Sequence, residues 1–233
     1  MQQPLIIVMP LYPGVTQLDF TGPHQFFSRL PDTRVIAAST AGRPVSADGL
    51  VFSGLADLAA IARCDILCVP GGAGSTEMIA DPVFMADIRR LAGGARYITS
   101  VCTGSLILGA AGLLVGKRAA CHWAWRDLLT LFGAIPDAGR VVQDGNIITG
   151  GGVTAGMDFA LAVINQVFDQ ATAEAIQLGL EYAPAPPFNA GRPETAPGSV
   201  REPVAARIAA TVATRQPVVA AAARAMFAAR DGK

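Results

Sequence analysis

Residues 96–109 read Arg-Tyr-Ile-Thr-Ser-Val-Cys-Thr-Gly-Ser-Leu-Ile-Leu-Gly. Arg96–Val101 carries β-branched and aromatic residues, which favour a strand. Thr103–Ala111 suits a helix, and Gly104 permits a tight turn between the two. Cys102 therefore stands at a corner where a strand passes directly into a helix. Such corners are the joints of parallel sheets, because a parallel neighbour is reached only through a crossover, most often a helix.

The same alternation extends in both directions. Upstream, Leu5–Met9, Arg34–Ser39, Leu50–Ser53 and Asp65–Val69 read as short apolar strands. Helices are expected from Thr21-Gly22-Pro23 to Arg29, over Leu55–Ile61 and over Pro82–Leu91, the last closed by Gly93-Gly94. Downstream, a strand is expected at Lys117–Cys121 and a helix at Trp123–Phe132. Arg140–Gln143 and Asn146–Thr149 flank Asp144-Gly145, a hairpin-turn dipeptide. Further helices follow over Thr154–Phe168 and Ala171–Leu180. Strands without polar alternation, interleaved with helices, predict an α/β fold whose parallel sheet is covered on both faces. Tyr182–Gly198 is Pro-rich and aperiodic, an ordered loop or arm. Glu202–Arg230 is Ala-rich and reads as helix broken near Pro217.

Bulk properties narrow the function. Of 233 residues, 52% are hydrophobic and 15% charged, which fits a well-buried globule. Lys+Arg and Asp+Glu balance at 18 each, so no nucleic-acid partner is expected. Mean hydropathy is +0.41. The longest apolar stretches, Pro4–Val15 and Ser105–Gly116, fall short of the roughly 20 residues of a spanning helix, so no membrane association is expected. The first stretch lacks a basic leader and runs into Asp19; a cytoplasmic protein is expected. Cys64, Cys68, Cys102 and Cys121 are then reduced thiols. With two histidines and no second cysteine pair near Cys64 and Cys68, no metal site is expected.

Ligands of open parallel sheets bind at the carboxyl ends of the strands. Cys102 lies at one such end, where unpaired helix N–H groups would favour a thiolate nucleophile. Pro70-Gly71-Gly72 ends another strand; it is either a plain turn or a source of N–H groups for an anionic intermediate. Asp19, between Leu18 and Phe20, is either a helix N-cap or an acid–base group whose pKa rises with burial. His122 is either a base for Cys102 or a histidine bonded to backbone. Asp158 and His24 read as structural.

These blocks resemble the ThiJ/PfpI superfamily. The resemblance is carried by the Cys102 block with Ala-Ala-Gly-Leu-Leu from Ala110, by Arg-Ala-Ala-Cys-His-Trp from Arg118, by Leu-Asp-Phe-Thr-Gly-Pro from Leu18 and by Val-Pro-Gly-Gly from Val69. Gly-Gly-Gly-Val-Thr-Ala-Gly-Met-Asp from Gly150 and Leu-Glu-Tyr-Ala-Pro-Ala-Pro-Pro-Phe from Leu180 resemble a narrower group within it, the isocyanide hydratases. The resemblance implies a flavodoxin-like fold. It implies a catalytic domain over 1–199, with an Ala-rich helical extension over 200–233 packed on it.

The resemblance also implies roles. Cys102 would be the nucleophile, Asp19 the acid beside it and Thr103 its neighbour. The N–H groups of Gly72 and Thr103 would face the reacting centre, and Val153, His122 and Gly71 would line the substrate pocket. A homodimer without cofactor would add water to a small-molecule isocyanide, giving an N-substituted formamide through a Cys-linked thioimidate. Glyoxalase-like or peptidase-like members of the superfamily would use the same cysteine. The sensor domain of an AraC-type regulator also resembles it, but the neutral chain and the short segment after Pro197 do not suit a DNA-binding module.

Overall fold

The computed structural model describes residues 3–231. Its strands are β1 (Leu5–Pro10), β2 (Thr33–Ser39), β3 (Val45–Ala47), β4 (Leu50–Phe52), β5 (Ala56–Asp57), β6 (Ile66–Val69), β7 (Tyr97–Val101), β8 (Arg118–Ala119), β9 (Ile135–Pro136), β10 (Val141–Asp144) and β11 (Ile147–Gly150). Its helices are α1 (Gln17–Phe27), α2 (Ser75–Met78), α3 (Pro82–Gly94), α4 (Gly104–Ala110), α5 (Ala155–Val167), α6 (Gln170–Gly179) and α7 (Gly198–Asp231).

Seven strands form the central sheet in the order β10-β11-β7-β6-β1-β2-β5. All neighbours are parallel except β10 and β11, which form the antiparallel hairpin that Asp144-Gly145 predicts. The central register pairs Val8 with Leu67 and Leu67 with Ile98. These strands are buried on both faces, β6 and β7 along their whole length, which is why their sequences lack polar alternation. The α/β sandwich expected from the alternation is the one observed.

Local chemistry sets several boundaries. Asp81 caps α3 by accepting from Val83 N and Phe84 N at 2.9 and 3.0 Å, and Pro82 follows where its missing N–H costs nothing. Asp169 caps α6 by accepting from Thr172 N at 2.7 Å. Other elements differ from expectation. Residues 55–61 are the short strand β5 and a 3-10 turn at Leu58–Ala60, because Asp57 pairs into the sheet edge and caps the turn. The segment Trp123–Phe132 is helical only from Arg126, and as 3-10 helix. The strand expected at Lys117–Cys121 shrinks to Arg118–Ala119. Helix α7 runs on through Pro217 rather than breaking there. Val219, Ala223 and Met226 recur at helical spacing and are buried, and α7 packs on α4 and Arg126–Phe132. That packing offsets the missing donor at Pro217.

Candidate active site

The carboxyl ends of β1, β6, β7 and β11 converge on one point. Thr16, after β1, stands at the N-cap position of α1 without a side-chain capping bond, so Asp19 lies in the first turn of that helix and not at its cap. Burial inside the turn, rather than capping, defines its environment. After β6, Gly71 and Gly72 run beside residues 14–16: Thr16 N donates to Gly71 O at 2.9 Å, and Val15 bridges Gly72. After β7 comes Cys102.

Cys102 adopts φ +57°, the left-handed region that costs a non-glycine residue about 1–2 kcal/mol. Neighbouring structure holds it there. Its N–H is shared between Gly150 O at 3.1 Å and Gly151 O at 2.8 Å, at the end of β11. The turn leaves the residue 5% exposed. The backbone N–H groups of Thr103 and Val153 donate toward the sulfur.

Asp19 is fully buried. Its Oδ2 accepts Gly71 N at 2.9 Å, while Oδ1 has no partner among the described residues. Burial pushes its pKa up to about 7; Gly71 N–H and the Cys102 thiol oppose the rise, and Asp48 adds to it. The Cys102 thiol is pushed well above its ordinary value, first by burial, then by the Asp19 charge and by Cys121. This reverses the expected thiolate. The N–H groups of Thr103 and Val153 pull the other way but do not outweigh desolvation. Asp19 and Cys102 thus form a coupled pair that retains a proton around and above neutral pH.

The N–H of Gly72, expected to face the reacting centre, instead donates to Thr103 Oγ1 at 2.8 Å. Its place near the sulfur is taken by Val153. Gly71 stands against Asp19, to which its N–H donates, and is not among the residues lining the cleft described below. A Cβ at Gly71 would lie 2.7 Å from Thr103 Oγ1 and 2.9 Å from Asp19 Oδ2, so only glycine lets the loop approach this closely. Tyr12, which sequence reasoning did not single out, fixes the same loop through Tyr12 OH to Pro70 O at 2.8 Å. No spacing rule marks it, because Tyr12 and Pro70 are 58 residues apart.

Val153 and His122 do line a cleft of about 230 Å³ beside the Cys102 corner. Gly151, Thr154, Trp123, Arg126, Arg140 and Arg192 are also in its walls. His122 is half-buried, and burial lowers its pKa, so the ring is neutral. Its Nδ1 accepts Ala124 N at 3.3 Å, as in the backbone-bonded reading, and no hydrogen bond joins it to Cys102. Asp158 is structural: it pairs with Arg140 and accepts Tyr182 OH at 2.8 Å. Cys64, Cys68 and Cys121 are buried, and burial pushes each thiol up to about 12. Among the described residues, no helix is long and apolar enough to cross a membrane. None of their His, Cys, Asp and Glu groups cluster in threes as metal ligands would.

Comparison with known proteins agrees with this geometry. Residues 6–166 match the model of the DJ-1/PfpI family. The chain is 48% identical over 214 residues to the isonitrile hydratase of Pseudomonas putida, covering 91% of this chain and 94% of that one. It superimposes on the crystal structure of a ThiJ/PfpI family protein from Pseudomonas syringae with a TM-score of 0.88 and 43% identity, over 94% of this chain and 90% of that one. A glutathione-independent glyoxalase of Caenorhabditis elegans is 29% identical over 100 residues, 43% of this chain and 53% of that protein. A strand-to-helix cysteine beside a buried carboxyl, on this sheet and with these matches, identifies the chain as a member of the DJ-1/PfpI family.

Proposed function

We propose that the protein is an isocyanide (isonitrile) hydratase with Cys102 as nucleophile and Asp19 as its acid–base partner. The observation that carries this reading is the buried Asp19 carboxyl, pushed up to about 7, with one oxygen unpartnered beside the thiol. An isocyanide carbon must gain both a nucleophile and a proton, and this pair holds both. The likeness to the Pseudomonas putida isonitrile hydratase supports the same reaction.

The atoms balance without further reagents. Sγ of Cys102 bonds to the isocyanide carbon while the proton held by the pair passes to that carbon, giving R–N=CH–S–Cys102 and the Asp19 carboxylate. Asp19 then takes a proton from water as the water oxygen attacks the thioimidate carbon. That proton passes to nitrogen. Collapse returns the hydroxyl proton to Asp19, breaks the C–S bond and releases the N-substituted formamide. The N–H groups of Thr103 and Val153 steady the charge on sulfur at the first and last steps.

The test is incubation with cyclohexyl isocyanide, following the formyl proton by NMR. No formamide from the wild-type protein sinks the hydratase reading. Turnover that survives C102A removes Cys102 as nucleophile. Lactate from methylglyoxal without formamide from the isocyanide supports the glyoxalase-like reading instead. We also propose a homodimer, for which the exposed Leu178 and Phe188 supply apolar surface. A monomer mass by sedimentation equilibrium ends that proposal.

A further inference from the structure

The cleft beside Cys102 has a charge pattern that the mechanism above does not use. Three arginines from separate segments line it: Arg126 from the 3-10 stretch, Arg140 from just before β10 and Arg192 from the Pro-rich arm. Arg140 is engaged: Nε pairs with the Asp158 carboxylate and Nη2 donates to Thr154 O at 3.0 Å. Among the described residues, the guanidinium groups of Arg126 and Arg192 have neither an ion-pair partner nor an acceptor. The carboxylate in the lining is Glu194, exposed, on the same arm as Arg192 and paired with neither arginine.

With Arg140 and Asp158 cancelling, two guanidinium groups and one carboxylate leave a single positive charge in the cleft. His122 adds none, since burial keeps it neutral. Val153, whose N–H reaches the Cys102 sulfur, stands in the same wall. The cleft therefore opens beside the Cys102 corner, through Gly151 and Val153, and carries a net charge suited to a monoanion. Guanidinium groups bind a carboxylate through paired N–H donors, a match that an uncharged group cannot make. A protein in which only 15% of residues are charged nonetheless brings these groups into the wall of one cleft.

Resting on the hydratase reading, we propose that Arg126 and Arg192 form a carboxylate-binding subsite, and that the substrates are isocyanides with a carboxylate at the end remote from the isocyano carbon. The ω-isocyano derivative of pentanoic acid and its primary amide have the same shape and differ in charge. The acid is expected to show a kcat/KM about tenfold higher, carried by KM, with the preference shrinking as salt rises. In the R126M/R192M double variant the ratio is expected to fall toward unity. Equal kcat/KM values in the wild type, or an unchanged ratio in the double variant, overturn the subsite.

A binding measurement separates this outcome from failure of the reaction. The corresponding ω-formamido acid and its amide are titrated into the protein by calorimetry, which needs no turnover. Tighter binding of the acid in wild type, lost in the double variant, supports the subsite even if neither isocyanide reacts; in that case the hydratase reading alone fails. Turnover of both isocyanides with equal binding of both formamides removes the subsite and leaves the hydratase reading standing. R192M alone, on the exposed arm, repeats the comparison should the double variant misfold.

Discussion

Thr103 and Gly72 share hydrogen bonds in both directions: Gly72 N–H donates to Thr103 Oγ1 at 2.8 Å, and the Thr103 hydroxyl approaches Gly72 O at 3.2 Å. One side chain thereby ties the loop after β6 to the corner after β7. The same loop carries Gly71, whose N–H holds Asp19. The Thr103 hydroxyl thus links the loop that holds the carboxyl to the corner that holds the thiol without itself bonding either of them.

A Thr103→Val substitution keeps the shape and removes both bonds. It leaves the Gly72 N–H buried and unsatisfied, at an expected cost of about 1–3 kcal/mol in urea unfolding. Thr103→Ser is expected to restore most of that stability. If valine unfolds at the same urea midpoint as wild type, the hydroxyl does not fasten the loop.

Asp19→Asn is expected to leave the fold intact and to lower turnover by a factor of about 10²–10⁴, the usual contribution of a positioned acid–base group. Its effect on stability has a definite sign. The Asp19 pKa is raised on folding from an ordinary value near 3.8 to about 7. The folded state therefore keeps a proton that the unfolded chain releases. Its stabilising effect is complete below about pH 4 and is lost as pH rises to 7, by up to about 4 kcal/mol. The asparagine variant lacks this loss, so its stability relative to wild type is expected to climb between pH 4 and pH 7. A constant difference across that window, read from urea midpoints, contradicts a raised Asp19.

How far the site was legible follows from these residues. Cys102 was visible because a strand pattern and a helix pattern abut in one continuous stretch. Asp19 stood out as an acid between apolar neighbours, but its place inside the first turn of α1 follows from the helix beginning at Gln17, ahead of the Thr21-Gly22-Pro23 start expected from the sequence. The partner of Gly72 N–H was not legible. It depends on how closely two loops 31 residues apart approach, and that is set by the register of β6 on β7. The arginines of the cleft come from three segments with no shared periodicity, and the Pro-rich arm that bears one of them has none. Helix α7 was legible as helix but not as continuous, since its burial against α4 is a tertiary effect.

Alkylation of Cys102 by iodoacetamide is expected to be slow at pH 7 and still accelerating at pH 9, because burial and the Asp19 charge hold the thiol protonated. In Asp19→Asn the charge is gone, and the rate profile is expected to move to lower pH. Mass spectrometry of the peptide containing Cys102 gives the rates. A plateau near neutral pH in the wild type is the result that contradicts a raised thiol.

The left-handed backbone at Cys102 gives a further comparison. Cys102→Ala and Cys102→Gly both remove the sulfur, but only glycine accepts φ +57° without steric penalty. The glycine variant is expected to be the more stable of the two by about 1 kcal/mol. Alanine matching or exceeding glycine in thermal unfolding rules out stored strain at this corner.

Arg215, on α7, bonds to the Ala73 carbonyl and donates to Thr76 Oγ1 at 2.9 Å, at the base of the loop that carries Gly71 and Gly72. Arg215 and Ala73 are separated by 142 residues. A ribosome releases Asp19, Cys102 and all three cleft arginines before it releases Arg215. Every group proposed for the site therefore precedes, along the chain, the residue that clasps the loop beneath it. The clasp can close only once the chain through Arg215 has been made, so this contact is among the last of those around the site that synthesis permits.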